Sequence, residues 1–211
     1  MQDDSPHRSN EDRTAEMRVR LMNAARELFV AKGYVATTTP EIVSSARVTR
    51  GALYHHFEDK ASILRAVLER EAAEVSAAIN ATDVLEGDEL DALLTGASAY
   101  LVAMMLPGRT RLLLLDGPAV LGRSKMREIE SRHGDDALRT GLDAAMSAGL
   151  LPRLPIGAIS ALLSAMFERA ALDISDGQDA ADYLTAVRAF VSGLAQLAPE
   201  RAAVPGECDL S

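Results

Sequence analysis

Apolar residues return every three or four positions near the start of the chain: Met17, Leu21, Ala24, Ala25, Leu28 and Phe29 make one stripe. Arg13, Arg18, Arg20 and Arg26 fall largely off it. That period predicts an amphipathic helix, closed at Lys32-Gly33, where glycine supplies a left-handed cap. A second helix is expected from TTTPEIV to about Ala46. A threonine caps it, Pro40 fits its first turn, and Glu41 suits the positive end of its dipole. After a tight turn at Arg47-Val48-Thr49, a third short helix runs to about Phe57. EDK then opens a longer one carrying Ile63, Leu64, Val67 and Leu68.

The remaining pattern is also helical. Leu90, Leu93, Leu94, Ala97, Leu101, Met104 and Met105 define a helix ending at Pro107-Gly108. RLLLL (111–115) is a short apolar segment, expected to be closed by a break at Asp116-Gly117-Pro118. Residues 124–149 read as one long surface helix with a candidate interruption at Gly134. Two strongly apolar helices follow at 156–174 and 179–197. No internal repeat and no alternating strand pattern emerges. The expected fold is all-α: an N-terminal three-helix helix-turn-helix domain joined to a larger C-terminal helical domain. The expected boundaries are a disordered arm over 1–12, the helix-turn-helix domain over 13–60, the larger helical domain over 61–198 and a disordered tail over 199–211.

Two short helices joined by a three-residue turn match the helix-turn-helix motif. Ile42, Ala46, Val48 and Leu53 are the residues that would pack the pair. With Leu53 and Phe57 inward, Thr49, Arg50, Tyr54 and His55 fall on the other faces of VTRGALYHHF (48–57). Each has a use against a duplex. Thr49 caps the helix and donates its hydroxyl to a phosphate. Gly51 removes a side chain where a backbone would approach closely. Arg50 can reach guanine O6 and N7 with two parallel bonds. Tyr54 offers a ring to a thymine methyl and a hydroxyl to a phosphate. His55, His56 and Lys60 are placed to hold flanking phosphates.

Charge changes this picture less than the total suggests. The 211 residues carry a formal net charge of −9, with 22 Lys+Arg against 31 Asp+Glu. Residues 1–70 hold 11 Lys/Arg and 10 Asp/Glu, leaving 11 and 21 for the rest. The overall acidity therefore does not exclude a nucleic-acid partner for the first third. Straight-chain helix formers dominate and aromatics are 4%, in keeping with an all-α chain. No run approaches the length of a membrane span, and the polar N-terminal segment is expected to be no secretory leader. The single cysteine, Cys208, cannot form an internal disulfide and suits a reducing cytoplasm. His55 and His56 make a poor metal pair, because adjacent helical residues diverge by about 100°; no metal or other cofactor is expected.

The segment GYVATTTPEIVSSARVTRGALYHHFEDKASIL (33–64) resembles the DNA-binding region of the TetR family of bacterial one-component regulators. The matching elements are Gly33-Tyr34, Thr37-Thr38-Thr39, Ile42, the spaced set from Ala46 through Val48, Thr49, Gly51, Leu53, Tyr54, His56 and Phe57, and Lys60 ahead of an apolar helix. With the preceding helix the resemblance covers about residues 14–70. It implies that Thr38, Thr39, Thr49, Tyr54, His55, His56 and Lys60 contact the DNA backbone or its edge, with Arg50 and Gly51 against bases. Two positions depart from the family pattern. Arg47 stands where glycine is usual, at a cost of roughly 1–2 kcal/mol if the turn stays left-handed; a phosphate contact by Arg47 would offset it. Val43 stands where a small residue is usual.

One helix-turn-helix reads few bases, so a homodimer reading two half-sites is expected. The helix at 156–174 is apolar almost all round and the last carries a broad apolar stripe, and the resemblance implies that two such pairs form a four-helix interface. Ile159, Leu163, Phe167, Leu184, Val187, Phe190, Val191 and Leu194 are its candidate residues, and a monomer core would look the same in sequence. Met104, Met105, Leu115, Asp116, Met126, Met166 and Phe167 are candidate lining of a ligand pocket, methionine being adaptable apolar surface. Asp116 could meet a cationic ligand, cap a helix, or pair with Arg109 or Arg111. The expected function is a cytoplasmic regulator, a repressor released from double-stranded operator DNA by a small, largely apolar effector. The alternatives are a helical interaction module and a regulator that has lost its ligand response. An enzyme is not expected. Glu128, Glu130, His133 and Asp135 lie close in sequence, but Glu128 and Glu130 do not share a helix face, and no nucleophile or phosphate-loop motif accompanies them.

Overall fold

The structure is a computed structural model, and it describes residues 10–82, 88–133 and 135–197. The expected arm over 1–12 lies outside them except that α1 (Asn10–Ala36) already begins at Asn10, and the expected tail over 199–211 lies wholly outside. Regular helix in α1 is interrupted at Gly33 as expected, but with φ 85° and ψ 160°, an extended positive-φ conformation open to glycine, in place of the expected left-handed cap. The helices that follow are α2 (Thr39–Ala46), α3 (Arg50–His56), α4 (Lys60–Asn80) and α5 (Glu89–Met104). Next come α6 (Arg109–Arg111), a π-helical turn (Leu112–Asp116) and α7 (Gly117–Leu121). The chain ends with α8 (Arg123–His133), α9 (Asp135–Ser147), α10 (Ile156–Ser175) and α11 (Ala180–Ala195). No strand occurs among the described residues.

The candidate interruption divides residues 124–149 into two helices, α8 and α9, with Gly134 itself outside the described residues. One expectation needs correction. Gly117-Pro118 does not break the chain's helical course, which runs through α6, the π turn and α7. Gly117 N–H reaches back five residues to Leu112 O. A proline ring ordinarily clashes with the carbonyl four residues earlier, and the widened turn ahead of Pro118 relieves that conflict.

The chain divides into two compact units. The first comprises the helices up to Ala78 together with Val102–Asp135; the second comprises Ile79–Leu101 and the chain from Asp136 onward. In the first, Leu21, Phe29, Ile42, Leu53, Ile63, Leu64, Leu68, Leu112 and Ile129 are fully buried. Burying one such side chain contributes roughly 1.5–3 kcal/mol. In the second, Leu93, Leu94, Leu142, Met146, Leu151, Leu163, Phe167 and Val191 belong to one core.

An ion cluster lies within the first unit. Glu71 in α4 is 1% exposed and accepts from Arg26 of α1 at 2.7 and 3.3 Å and from Arg109 of α6 at 2.9 Å. Arg109 also donates to Glu74 and, at 2.9 Å, to Ala103 O, while Arg26 reaches Pro107 O at 3.2 Å. Burial works to raise the Glu71 pKa, and the two guanidinium groups overcome it, so the carboxyl sits below its ordinary range. The neighbouring loop is drawn in tightly: a Cβ on Gly108, at φ +78°, would meet Val30 side-chain carbons at 2.4 and 2.6 Å.

Candidate nucleic-acid interface

The helix-turn-helix is built from its caps inward. Thr38 precedes α2, and its N–H and hydroxyl both donate to Glu41 Oε2, at 2.9 and 2.7 Å. Lys32 donates to the other carboxylate oxygen. The Lys32 ammonium first, and then the Thr38 hydroxyl and N–H, hold the Glu41 pKa down to about 2. Thr49 caps α3, its hydroxyl oxygen accepting from Ala52 N–H at 3.2 Å. Leu53 and Phe57 turn inward as the pattern predicts, leaving the opposite face of α3 in solvent.

That face carries Arg50, Gly51, Tyr54 and His55, all exposed. The Arg50 guanidinium lies 5.5 Å from the Tyr54 ring centroid. A hydrogen bond from the Thr39 side chain, and then the Arg50 charge, hold the Tyr54 phenol below its ordinary range. These contacts join α2 to α3 on the outer surface. Gly51 costs the helix stability relative to alanine, yet a Cβ there would meet nothing nearer than Thr49 Oγ1 at 3.9 Å. The fold has no need of that glycine; a close approach from outside would have one.

The turn between the helices is closed from α1. Arg47 adopts φ 53° and ψ 49°, the left-handed conformation, so the turn keeps its glycine-like geometry with arginine in place. Arg47 N–H donates to Ser44 O and Val48 N–H to Val43 O, both at 3.1 Å. Arg20 donates through Nη2 to Ala46 O at 2.6 Å and to Arg47 O at 3.1 Å. At the far end of α3, Arg18 reaches His56 O at 3.4 Å and lies 4.6 Å from the Phe57 ring centroid. The His55 and His56 rings meet edge to face at 5.2 Å. Burial, then the charges of His55 and Arg18, push the His56 imidazole below its ordinary range.

Lys60, expected to hold a flanking phosphate, also makes internal hydrogen bonds. Its ammonium donates to Tyr34 O at 2.8 Å and Thr37 O at 2.7 Å and stands 4.2 Å from the Tyr34 ring centroid. Two of its three N–H groups thereby close the end of α1. Arg18 and Arg20 are supporting residues that the hydrophobic pattern by itself does not mark; they lie two turns and one turn before the buried Ala24-Ala25 pair.

The other candidate residues separate between the units. Met104 and Met126 are buried in the first unit, whereas Met105 and Leu115 are exposed. Asp116 pairs with Arg111, Oδ2 to Nε at 3.4 Å, while Arg109 is committed to Glu71 and Glu74. Met166 and Phe167 lie in the second unit, Phe167 in its core with the Tyr100 ring at 6.1 Å. Of the expected dimer residues, Ile159, Leu163, Phe167, Val187 and Val191 fill that same core. Leu184 is half-buried, Leu194 packs against the core, and Phe190 is exposed. Among the four residues weighed for acid–base work, Glu128 is tied to Lys125 at 2.8 Å and Arg132 at 3.8 Å.

A capped pair of short helices, with a basic and aromatic outer face on the second, defines a helix-turn-helix regulator. The family described as "Bacterial regulatory proteins, tetR family" matches residues 21–67, and "Tetracyclin repressor-like, C-terminal domain" matches residues 90–197. The chain belongs to the TetR family of transcriptional regulators. It is 44% identical over 68 residues to the transposon Tn10 TetC protein of Escherichia coli, a match covering 32% of this chain and 34% of that one. The chain thus spans about a third of the length of this curated relative. A crystal structure of a TetR-family transcriptional regulator from Pectobacterium atrosepticum aligns at a TM-score of 0.68 and 29% identity, covering 89% of this chain and 97% of that one. The regulator LfrR from Mycobacterium smegmatis, solved in complex with proflavine, shares the fold at a TM-score of 0.61 and 19% identity, over 84% of this chain and 95% of that one. No helix among the described residues is long and apolar enough to cross a membrane.

Proposed function

We propose that the protein is a homodimeric, cytoplasmic repressor that presents α3 to the major groove of operator DNA and is released by a small effector. The observation that carries the DNA contact is Gly51: an exposed helical glycine whose missing side chain nothing in the protein requires, beside the outward Arg50 and Tyr54. In this reading Arg50 reads a base edge, Thr39, Thr49, Tyr54, His55 and His56 touch phosphates or the groove edge, and Thr38 and Arg47 flank them. Lys60 acts mainly through α1, whose end it closes.

Homodimerisation is supported by a matched face on α10 and α11. Ala158, Ala161, Leu162 and Ala165 share one exposed face of α10, and Ala186, Ala189, Phe190 and Gly193 one exposed face of α11. Each set follows the same spacing, three small residues around one large apolar one, with Leu162 68% and Phe190 50% exposed. Small residues allow close helix approach, and the large ones supply knobs for a second copy. The effector reading is supported by the C-terminal family match and by LfrR holding proflavine on the same fold. Among the described residues Asp116 Oδ2 is buried and makes no hydrogen bond, its ion pair with Arg111 Nε being 3.4 Å long, so it retains capacity for a polar group of a ligand.

The test is binding to the DNA upstream of the protein's own coding region, against a scrambled fragment, across a salt series. A salt-dependent preference of about three orders of magnitude establishes specific recognition. Equal, weak binding to both fragments by refolded, ligand-stripped protein would favour a helical interaction module.

A further inference from the structure

We propose that Arg20, on α1, is a positioning residue that sets the presentation of α3 by holding the left-handed turn at Arg47. The inference rests on the DNA-binding reading above. Arg47 is the one non-glycine residue with positive φ among the described residues, at 53°. An L-residue in that conformation brings its Cβ against the following carbonyl oxygen, so the turn is biased toward other shapes unless something holds it. Three observations identify what holds it. Val48 N–H closes the turn onto Val43 O at 3.1 Å. A single Arg20 nitrogen donates to the carbonyls on both sides of the strained residue's Cα, Ala46 O at 2.6 Å and Arg47 O at 3.1 Å. With Arg47 left-handed both carbonyls lie within reach of this one nitrogen from α1, and a different φ and ψ at Arg47 would move its carbonyl away from Ala46 O and α1, so the guanidinium favours the observed turn over shapes that forfeit one of the two bonds.

A charged donor fits the place. Ala46 ends α2, where carbonyl groups lack helical partners and the dipole is negative. Arg20 therefore satisfies a helix end and a strained turn together, from a helix outside the reading pair. The angle of α3 follows from the turn, because only Val48 and Thr49 separate Arg47 from its first residue. In a protein with glycine at this position the turn would need no such hold. Arg20 and Arg47 thus form a matched pair, and loss of Arg20 matters only while residue 47 has a side chain.

The experiment is a double-mutant cycle of Arg20→Ala and Arg47→Gly, read by operator affinity, salt slope and thermal unfolding. Comparing Arg20→Ala in the arginine and glycine backgrounds removes any phosphate contact made by Arg47 itself. With Arg47 present, Arg20→Ala is expected to weaken operator binding about tenfold, with the slope of log affinity against log salt unchanged. With glycine at 47 the same change is expected to cost less than about twofold, and the unfolding shifts are expected to be non-additive in the same sense. Arg20→Lys, a point donor without the planar fork, should fall between Arg20 and Ala. Equal losses in both backgrounds overturn the proposal. A slope reduced by about one unit in Arg20→Ala also overturns it, since that marks a lost phosphate contact. If the unsubstituted protein shows no operator preference, the DNA reading fails, and the unfolding cycle alone decides the hold: additive shifts reject it and coupled shifts support it.

Discussion

Arg109 donates its Nε to Glu71 Oε2 at 2.9 Å with both side chains out of solvent, and Arg26 grips the same carboxylate from α1. One buried anion thereby joins α1, α4 and α6. Removing a single partner from such a cluster leaves charge buried and unpaired, which costs about 3–5 kcal/mol. Glu71→Ala is therefore expected to lower the unfolding temperature sharply, and Glu71→Gln less so, as a thermal melt would show. The folded pKa of Glu71 is depressed, so its contribution is fully present above the unfolded value near 4.5 and is lost as pH falls through the folded value. The wild-type protein should lose stability on acidification below about pH 4.5 by an amount that Glu71→Gln removes.

Gly51→Ala separates folding from recognition. A Cβ meets only Thr49 Oγ1 at an unstrained 3.9 Å in the free protein, and alanine stabilises a helix by roughly 0.5–1 kcal/mol over glycine. The variant should melt slightly higher while binding operator DNA more weakly. Unchanged affinity, measured by titration with labelled operator, would remove the argument that this position faces the duplex.

Lys60→Met tests the inward placement of the ammonium. Loss of two charge-assisted hydrogen bonds to Tyr34 O and Thr37 O should destabilise the protein, each being worth about 1.5–3 kcal/mol. The salt slope of DNA binding should stay as it is. A slope smaller by about one unit would put a phosphate on Lys60 instead.

The Glu41 cap has its own pH signature. Lys32, Thr38 Oγ1 and Thr38 N–H lower its pKa to about 2 from 4.5. Their contribution is present above 4.5 and disappears as pH falls toward about 2, the depressed-carboxylate sense. An NMR titration should show the Thr38 amide responding in that low window, and Lys32→Ala should move the midpoint upward.

Phe190→Glu places a charge on the exposed α11 face and should leave the monomer folded while preventing self-association. Sedimentation would show a half-mass species, and operator affinity should fall because half-sites would be read singly. A dimer persisting in this variant and in Leu162→Glu would exclude that face.

The reading pair was legible because its determinants are local. Caps at Thr38 and Thr49, the inward Leu53 and Phe57, and the glycine at 33 are all set within a few residues of chain. The turn at Arg47 was legible as a conflict, though not its resolution, because Arg20 meets it across 27 positions. Arg26 looked like solvated surface for the same reason, while the better signal was Glu71, which interrupts the apolar positions Val67, Leu68 and Val75 of α4. Ile159, Leu163 and Val187 could not be sorted into core or interface by hydrophobicity. What distinguishes the outer face is residue size, the alanines and glycine spaced around Leu162 and Phe190.

The π turn at Leu112–Asp116 has a consequence of its own. It takes up one residue more per turn than an α-helix, so everything after it is rotated by about 100° relative to an uninterrupted course. That rotation turns Gly117 inward, where a Cβ would lie 2.8 Å from Met126 Sδ and 3.1 Å from Leu68 Cδ1. The turn thus works as a phase shifter between two helical segments. Without the widened turn a regular course would set Asp116 where Gly117 now packs against Met126 and Leu68, whereas deleting one leucine would restore a regular helix with Gly117 still in that place.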